Sequence, residues 1–268
     1  MLWGKYKMAE SKYYFGKGEY KDVLTCLSTT KVNSYKTSSL PLAQFWEPNK
    51  KLSKFIILLN SQESIDISNS DRYFEYPTPC EKNGEKLESS SPSMTDLMII
   101  NEKYQIAIEG KYTEYSEGKY QTINEWNNKN AAHKENIKNR WFEYIKECGA
   151  TSKESVDGDI PYQFLHRTAA ACYKCAETGK IPVLIYQLFY DSSNEEKKDN
   201  FVKELKKWAE ELGFTEKIQF LVVEVNVNNI KEIMDKYEGV RSDLFLIMKE
   251  LKEPIYQFDW DNIKITKL

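Results

Sequence analysis

Two stretches of this chain, Ile181–Tyr190 and Ile218–Val227, are nearly continuous in apolar residues and of strand length, and the segment between them repeats Phe201, Leu205, Trp208 and Leu212 at helical spacing before Gly213. A strand apolar on both faces must be covered on both faces, which is the position of a central strand in a parallel or mixed sheet; the intervening helix supplies the crossover. A second amphipathic helix starts at Asp159 and Pro161, good N-cap and first-turn residues, and aligns Tyr162, Leu165, Ala169, Cys172 and Ala176 before Gly179. Upstream, Asp96–Ile100 and Tyr104–Tyr112 read as a hairpin and Arg72–Tyr76 as a short strand. Glu117–Glu147 reads as a long polar helix closed by Gly149, and Tyr20–Leu27 and Leu40–Asn60 also read as helices. A short helix reaching Gly239 precedes a mixed apolar tail, Ile255–Ile265. This order predicts an α/β sandwich with a mixed central β-sheet flanked by helices, and an N-terminal helical extension.

The composition supports one folded domain. Of 268 residues 41% are hydrophobic and 13% aromatic, with 11 Gly and 8 Pro, which excludes a disordered or fibrous chain. The low-complexity stretch Pro77–Ser93 reads as a mobile loop, since strand follows it at once. The reading is therefore a single domain over 1–268, with a helical N-terminal part to residue 70, a core over 71–227 and a C-terminal extension over 228–268. No apolar run approaches the roughly 18–20 residues a transmembrane helix needs, and Met1–Lys5 lacks a signal-peptide pattern, so a cytoplasmic location without a membrane partner is expected.

Charge is nearly balanced, 38 Lys+Arg against 41 Asp+Glu for a net −3, which excludes a uniformly basic coat for nucleic acid. The balance conceals ten lysines against four acids within residues 1–60, a surplus that suits either a solvated surface or a phosphate-facing patch. Five cysteines, including the Cys172/Cys175 pair, give neither a disulfide framework nor a four-ligand zinc pattern and read as inert thiols. The glycine-rich phosphate loops, the H-E-x-x-H zinc motif and the G-x-S-x-G hydrolase elbow are all missing from the sequence.

The hairpin carries the chemistry. With its turn centred between Glu102 and Lys103, Asp96 falls opposite Glu109, and Lys111 projects from the same face as Glu109 because strand side chains alternate. Like charges directly opposite each other, about 5 Å apart, destabilise a sheet, and a divalent cation removes the conflict. Mg²⁺ takes one or two carboxylates and leaves positions for water and a substrate phosphate; Lys111 would then position or help deprotonate water and offset charge growing on phosphate. The alternative is a strand-end salt bridge worth ~0–1 kcal/mol. Glu-x-Lys also recurs at Glu19/Lys21, Glu195/Lys197, Glu196/Lys198, Glu204/Lys206 and Glu250/Lys252, but in polar, helix-like or terminal segments.

Pro92-Ser93-x-Thr95-Asp96-Leu97, followed by Ile106-Ala107-Ile108-Glu109-Gly110-Lys111, resembles the core of the PD-(D/E)XK nuclease superfamily, the fold of restriction endonucleases. The resemblance covers about residues 92–112, and the following helix and strand order agrees with that family's α-β-β-β-α-β core; Thr95 stands where the name-giving Pro often sits. It implies a restriction-endonuclease-like sandwich and a Mg²⁺-dependent nuclease, with Mn²⁺ as a substitute ion, that hydrolyses DNA phosphodiester bonds. Asp96, Glu109 and the Gly110 carbonyl would hold the ion, and Lys111 would be catalytic. An additional acid from an earlier element is expected at Glu75 or Glu63, less so at Glu47. Supporting roles fall to Gln121 and to Gln163 and Arg167, which are four apart on one helix face. His166 reads as a core or boundary histidine and His133 as solvated. The alternatives are a nucleic-acid-binding or protein-interaction module that keeps the fold without turnover, and an unrelated α/β protein with a surface salt bridge. Symmetric cutting of both strands would suit a homodimer.

Overall fold

The computed structural model describes residues 11–27, 35–82, 85–86, 93–115, 120–128, 131–150, 160–214, 217–238, 244, 247, 250 and 254–268. The apolar run Ile181–Tyr190 is a ten-residue strand, and Gln219–Asn226 lies parallel to it, the two joined through the helix Glu195–Leu212. In chain order the strands are β1 (Tyr13–Phe15), β2 (Gly18–Tyr20), β3 (Asp71–Thr78), β4 (Glu81–Lys82), β5 (Glu85–Lys86), β6 (Ser93–Ile100), β7 (Tyr104–Lys111), β8 (Ile181–Tyr190), β9 (Gln219–Asn226) and β10 (Lys264–Lys267). The helices are α1 (Val23–Leu27), α2 (Ser39–Trp46), α3 (Lys50–Glu63), α4 (Ile123–Asn128), α5 (Ala131–Glu147), α6 (Tyr162–Cys172), α7 (Cys175–Thr178), α8 (Glu195–Leu212) and α9 (Ile230–Tyr237). Eight strands form one mixed sheet in the order β10-β9-β8-β7-β6-β3-β1-β2, and β4 and β5 pair separately.

Alternation along the central strands divides the core into two layers. Ile99 of β6, Ile106 and Ile108 of β7, Ile185 of β8 and Val223 of β9 face α1, α2, α3 and α9. Met98, Ala107, Leu184, Tyr186 and Val222 face α5, α6 and α8. The molecule is thus an α/β sandwich with helices on both faces of the sheet. No helix among the described residues is long and apolar enough to cross a membrane.

Several local readings change. The N-terminal part is not purely helical: β1 runs parallel to β3 and turns back antiparallel into β2, so residues 13–20 extend the sheet. Three-residue strands are too short to show a period in the sequence. Leu40–Asn60 divides into α2 and α3 because Pro48 drives Glu47 to extended backbone, ψ 132°. Asn49 then caps α3, its side chain accepting from Lys51 N and Leu52 N. Of the Glu117–Glu147 reading, residues 117–119 and 129–130 lie outside the described residues, and the described part holds α4 and α5. Pro161 stands at the cap position of α6, and its proposed Asp159 cap lies outside the described residues. That helix stops at Cys172 because Lys174 adopts a left-handed conformation; α7 follows, leaving Ala176 exposed and Cys175 buried. The apolar tail contributes β10, antiparallel to β9. All five cysteines are buried free thiols.

Candidate active site

The predicted hairpin register holds. Leu97 pairs with Ile108, Met98 with Ala107 and Ile100 with Gln105, so Asp96 and Glu109 are the next level along β6 and β7. On the other side of β6, Phe74 pairs with Leu97 and Tyr76 with Thr95, which brings Glu75 of β3 to the level of Asp96. Helix α6 covers this end of the sheet. Its C-terminal carbonyls, from Ala170, Ala171 and Tyr173, accept hydrogen bonds from buried Gln105 Nε2 at 2.8–3.1 Å. Gln105 and Glu109 lie on the same face of β7, so one strand holds α6 at two points.

Glu109 is the centre of that second point. Its side chain is 2% exposed. Oε1 accepts from Lys111 Nζ at 2.9 Å and from Gln163 Nε2 at 2.8 Å, and Oε2 accepts from Arg167 Nε. Lys111 Nζ also donates to Gln163 Oε1 at 3.3 Å. Burial pushes the Glu109 carboxyl up, but Lys111 and Arg167 together outweigh it and hold it below the usual carboxylate range. For Lys111 burial favours the neutral amine, yet the charges of Glu109 and Asp96 prevail and keep it an ammonium. Arg167, on α6, is fixed as a cation by the same carboxylates.

Asp96 is the more open acid, with its side chain 26% exposed. Oδ2 accepts from Gly110 N at 2.9 Å, while Oδ1 lies 3.9 Å from Arg167 Nη2. Burial and then the charge of Glu109 raise its pKa, with Arg167 and Lys111 opposing. A side chain at position 110 would crowd this contact: a Cβ there would stand 3.3 Å from Ser38 Cβ, 3.5 Å from Leu42 Cδ2 and 3.7 Å from Asp96 Oδ2. Glycine therefore lets the start of α2 close over the strand beside Asp96.

Glu75 belongs to this neighbourhood. Burial raises its carboxyl pKa, with the charges of Arg167 lowering and Glu109 raising it. Its backbone is left-handed, φ 49°, in the middle of a strand. The other expected acids are elsewhere. Glu63 ends α3, whose following residue, Ser64, accepts through its carbonyl from Tyr104 Oη at the far end of β7. Glu47 accepts from Val23 N and Leu24 N at the start of α1, and burial followed by the charge of Asp22 pushes it up to about 7.

Gln163 and Arg167 share a helix face as expected, and that face is turned onto the sheet. Gln121 is placed differently: its carbonyl accepts from Tyr162 N, tying the segment before α4 to the start of α6, and its side chain makes no hydrogen bond to Asp96, Glu109 or Lys111. His166 stacks on Trp141 with centroids 5.0 Å apart, neither ring nitrogen has a hydrogen-bond partner, and burial lowers its pKa to about 3. It is a neutral packing group. Of His133 only the place, within α5, is described. Tyr186, which stands beside Glu109 on β8, and Ser38 beside Gly110 leave no local signal in the sequence, because parallel register and the approach of α2 depend on distant segments.

Asp96, with its side chain 26% exposed and at the level of Glu109, offers the most accessible carboxylate of the cluster, the oxygen donor type that a hard divalent cation takes. Glu109 would have to exchange at least one of its present donors. Among the described residues no three His, Cys, Asp or Glu side chains form a group arranged to hold a metal ion.

A family model described as Domain of unknown function (DUF6946) matches residues 19–241. The chain belongs to this family. The DUF6946 match spans every residue of the cluster, from Glu75 to Arg167, and leaves β1 and β10 outside it. No curated protein and no solved structure matches the chain.

Proposed function

We propose that this protein is a metal-dependent nuclease that hydrolyses DNA phosphodiester bonds, built on a restriction-endonuclease-like sandwich of the PD-(D/E)XK kind. The observation that carries the reading is the convergence of Asp96, Glu109 and Lys111, in register on adjacent strands, beneath Gln163 and Arg167. A salt bridge at an exposed strand end would need neither the burial nor the two helix donors.

Mg²⁺, or Mn²⁺ in its place, would be held by Asp96, Glu109 and the Gly110 carbonyl and would supply Lewis acidity toward a phosphate oxygen and toward water. The chain's own groups do the rest. Lys111, whose ammonium form Glu109 and Asp96 favour, donates to the phosphate oxygen on which charge grows. Arg167 fixes the rotamer of Glu109 and balances its charge, and Gln163 bridges Lys111 and Glu109, accepting from the first and donating to the second. Glu75 is the additional acid of this reading.

One observation favours a second reading, a nucleic-acid-binding module without turnover: both Glu109 oxygens already have donors from this chain. Plasmid cleavage separates the two. With Mg²⁺ or Mn²⁺ the wild type is expected to cut, and Asp96→Ala and Lys111→Ala each to lose at least about 10²-fold in rate. DNA binding without cutting by the wild type would establish the second reading, and equal cutting by all three proteins would refute the assigned site.

A further inference from the structure

β3 carries an unpaired cation on the other face of the sheet from the acidic cluster. Arg72 is 1% exposed, and its guanidinium carbon lies 5.3 Å from the Tyr13 ring centroid and 5.6 Å from that of Trp46. Nη1 donates to Tyr13 Oη at 2.7 Å, whereas Nε and Nη2 have no hydrogen-bond partner. Those two nitrogens form the edge with which a guanidinium grips a carboxylate or phosphate through paired, parallel N–H bonds. Among the described residues no carboxylate pairs with Arg72. Burying an ion is costly, and the two aromatic faces offset only part of that cost. The charge therefore calls for an anion that the described residues do not supply.

Arg72 forms part of the wall of a cavity of about 700 Å³, together with Lys12, Tyr20, Lys21, Asn49 and Lys50. Glu19 also lines it and is bound to Lys12 Nζ at 3.3 Å, which leaves Lys21, Lys50 and Arg72 as the cationic surplus. This is where part of the lysine excess of residues 1–60 collects. Asn49 adds the capped start of α3, a fourteen-residue helix whose N-terminal dipole favours negative charge.

We infer that this cavity binds a phosphate monoester dianion, with the Nε/Nη2 edge of Arg72 as its fork and Lys21 and Lys50 at its mouth. Three cations suit a dianion better than a single carboxylate. The volume admits a small phosphorylated molecule or the end of a strand, and excludes the body of a duplex. Neither free nitrogen has appreciable solvent-accessible surface, so the fork meets the phosphate only as the side chains over it move aside, and the bonds then form shielded from bulk water, where charge-assisted bonds are strong.

The test is calorimetric titration of the whole chain with inorganic phosphate against chloride at matched ionic strength. Saturable phosphate binding is expected. Arg72→Lys keeps the charge and loses the fork, and is expected to weaken binding by about tenfold or more. The exposed pair Lys21→Glu with Lys50→Glu is expected to weaken it comparably and keeps the test open if Arg72→Lys fails to fold. A 5′-mononucleotide, and a 5′-phosphorylated single strand beside its 5′-hydroxyl twin, distinguish a free ester from a strand end as the source of the phosphate. Asp96→Ala, across the sheet, is expected to bind phosphate like the wild type, so failure of the nuclease reading leaves this result standing. Absence of saturable phosphate binding by the wild type, or unchanged affinity in the folded variants, would overturn the site.

Discussion

Glu109 has three donors on two oxygens and hardly any contact with solvent, so its removal and that of Asp96 have opposite consequences. Glu109→Gln leaves Lys111 and Arg167 buried without their principal anion and is expected to lower unfolding stability by about 3–5 kcal/mol in urea titration. Asp96 is held less favourably, since burial and Glu109 both resist its ionisation. A raised carboxyl pKa means that the folded chain binds its proton more tightly than the unfolded chain, so stability increases as pH falls from neutral toward the ordinary carboxylate range. Glu109, with its pKa lowered, loses its contribution only below that range. Thermal unfolding in this window is therefore expected to show both proteins gaining Tm on acidification, because the raised carboxyls of Glu47 and Glu75 remain in the variant, with Asp96→Asn gaining less than the wild type by on the order of 1 kcal/mol; parallel curves would contradict the assignment. At this scale much of the site was legible. Asp96 against Glu109 followed from the hairpin count, and Gln163 with Arg167 from a spacing of four. Glu47 and Glu63 were misplaced because an acid's position in sequence does not reveal which end of a strand its helix reaches.

Helix α6 is positioned by polar contacts at both ends of the same strand face. Gln105 satisfies three carbonyls at its C-terminal end, and Glu109 receives Gln163 and Arg167 nearer its N-terminal end. Gln105→Leu leaves those carbonyls buried and is expected to destabilise by about 1–3 kcal/mol. It is also expected to increase hydrogen exchange in the last turn of α6 more than in β8, which a general loss of stability would not do. Glu75→Gly relieves a left-handed strain of about 1–3 kcal/mol while removing a carboxyl near Arg167. It is expected to raise stability and, on the nuclease reading, to reduce cleavage. The apolar runs that became β8 and β9 were legible because burial on both faces removes every polar residue. The break between α6 and α7 was not, because the stripe continues through Lys174 and only its backbone conformation interrupts the helix.

Across the whole molecule the sheet is closed by short strands. β10 pairs with Val222, Val223 and Glu224 of β9, and Lys264 Nζ lies 2.7 Å from Glu224 Oε1, whose other oxygen pairs with Lys198. Ending the chain at Asp261 would expose the β9 edge and remove one partner of a 3% exposed carboxylate. Such a variant is expected to lose Tm and to associate on size-exclusion chromatography at protein concentrations where the intact chain does not, as bare strand edges do. The sandwich itself was legible from the order of elements, whereas both edges were missed: β1 and β2 are too brief to show alternation, and β10 lies in a mixed tail. One consequence concerns the left-handed residue in β3. Tyr73 and Tyr76 pack against the same helical layer although they are three apart, a spacing that strict alternation sends to opposite faces. The pairing of β3 with β6 keeps one register on both sides of Glu75, so the left-handed residue redirects the side chain that follows it without slipping the strand. Arg72 and Phe74 thereby serve one compartment while Tyr73 and Tyr76 both serve the other, and a change of one backbone angle adds a second aromatic ring to the layer that covers the acidic cluster.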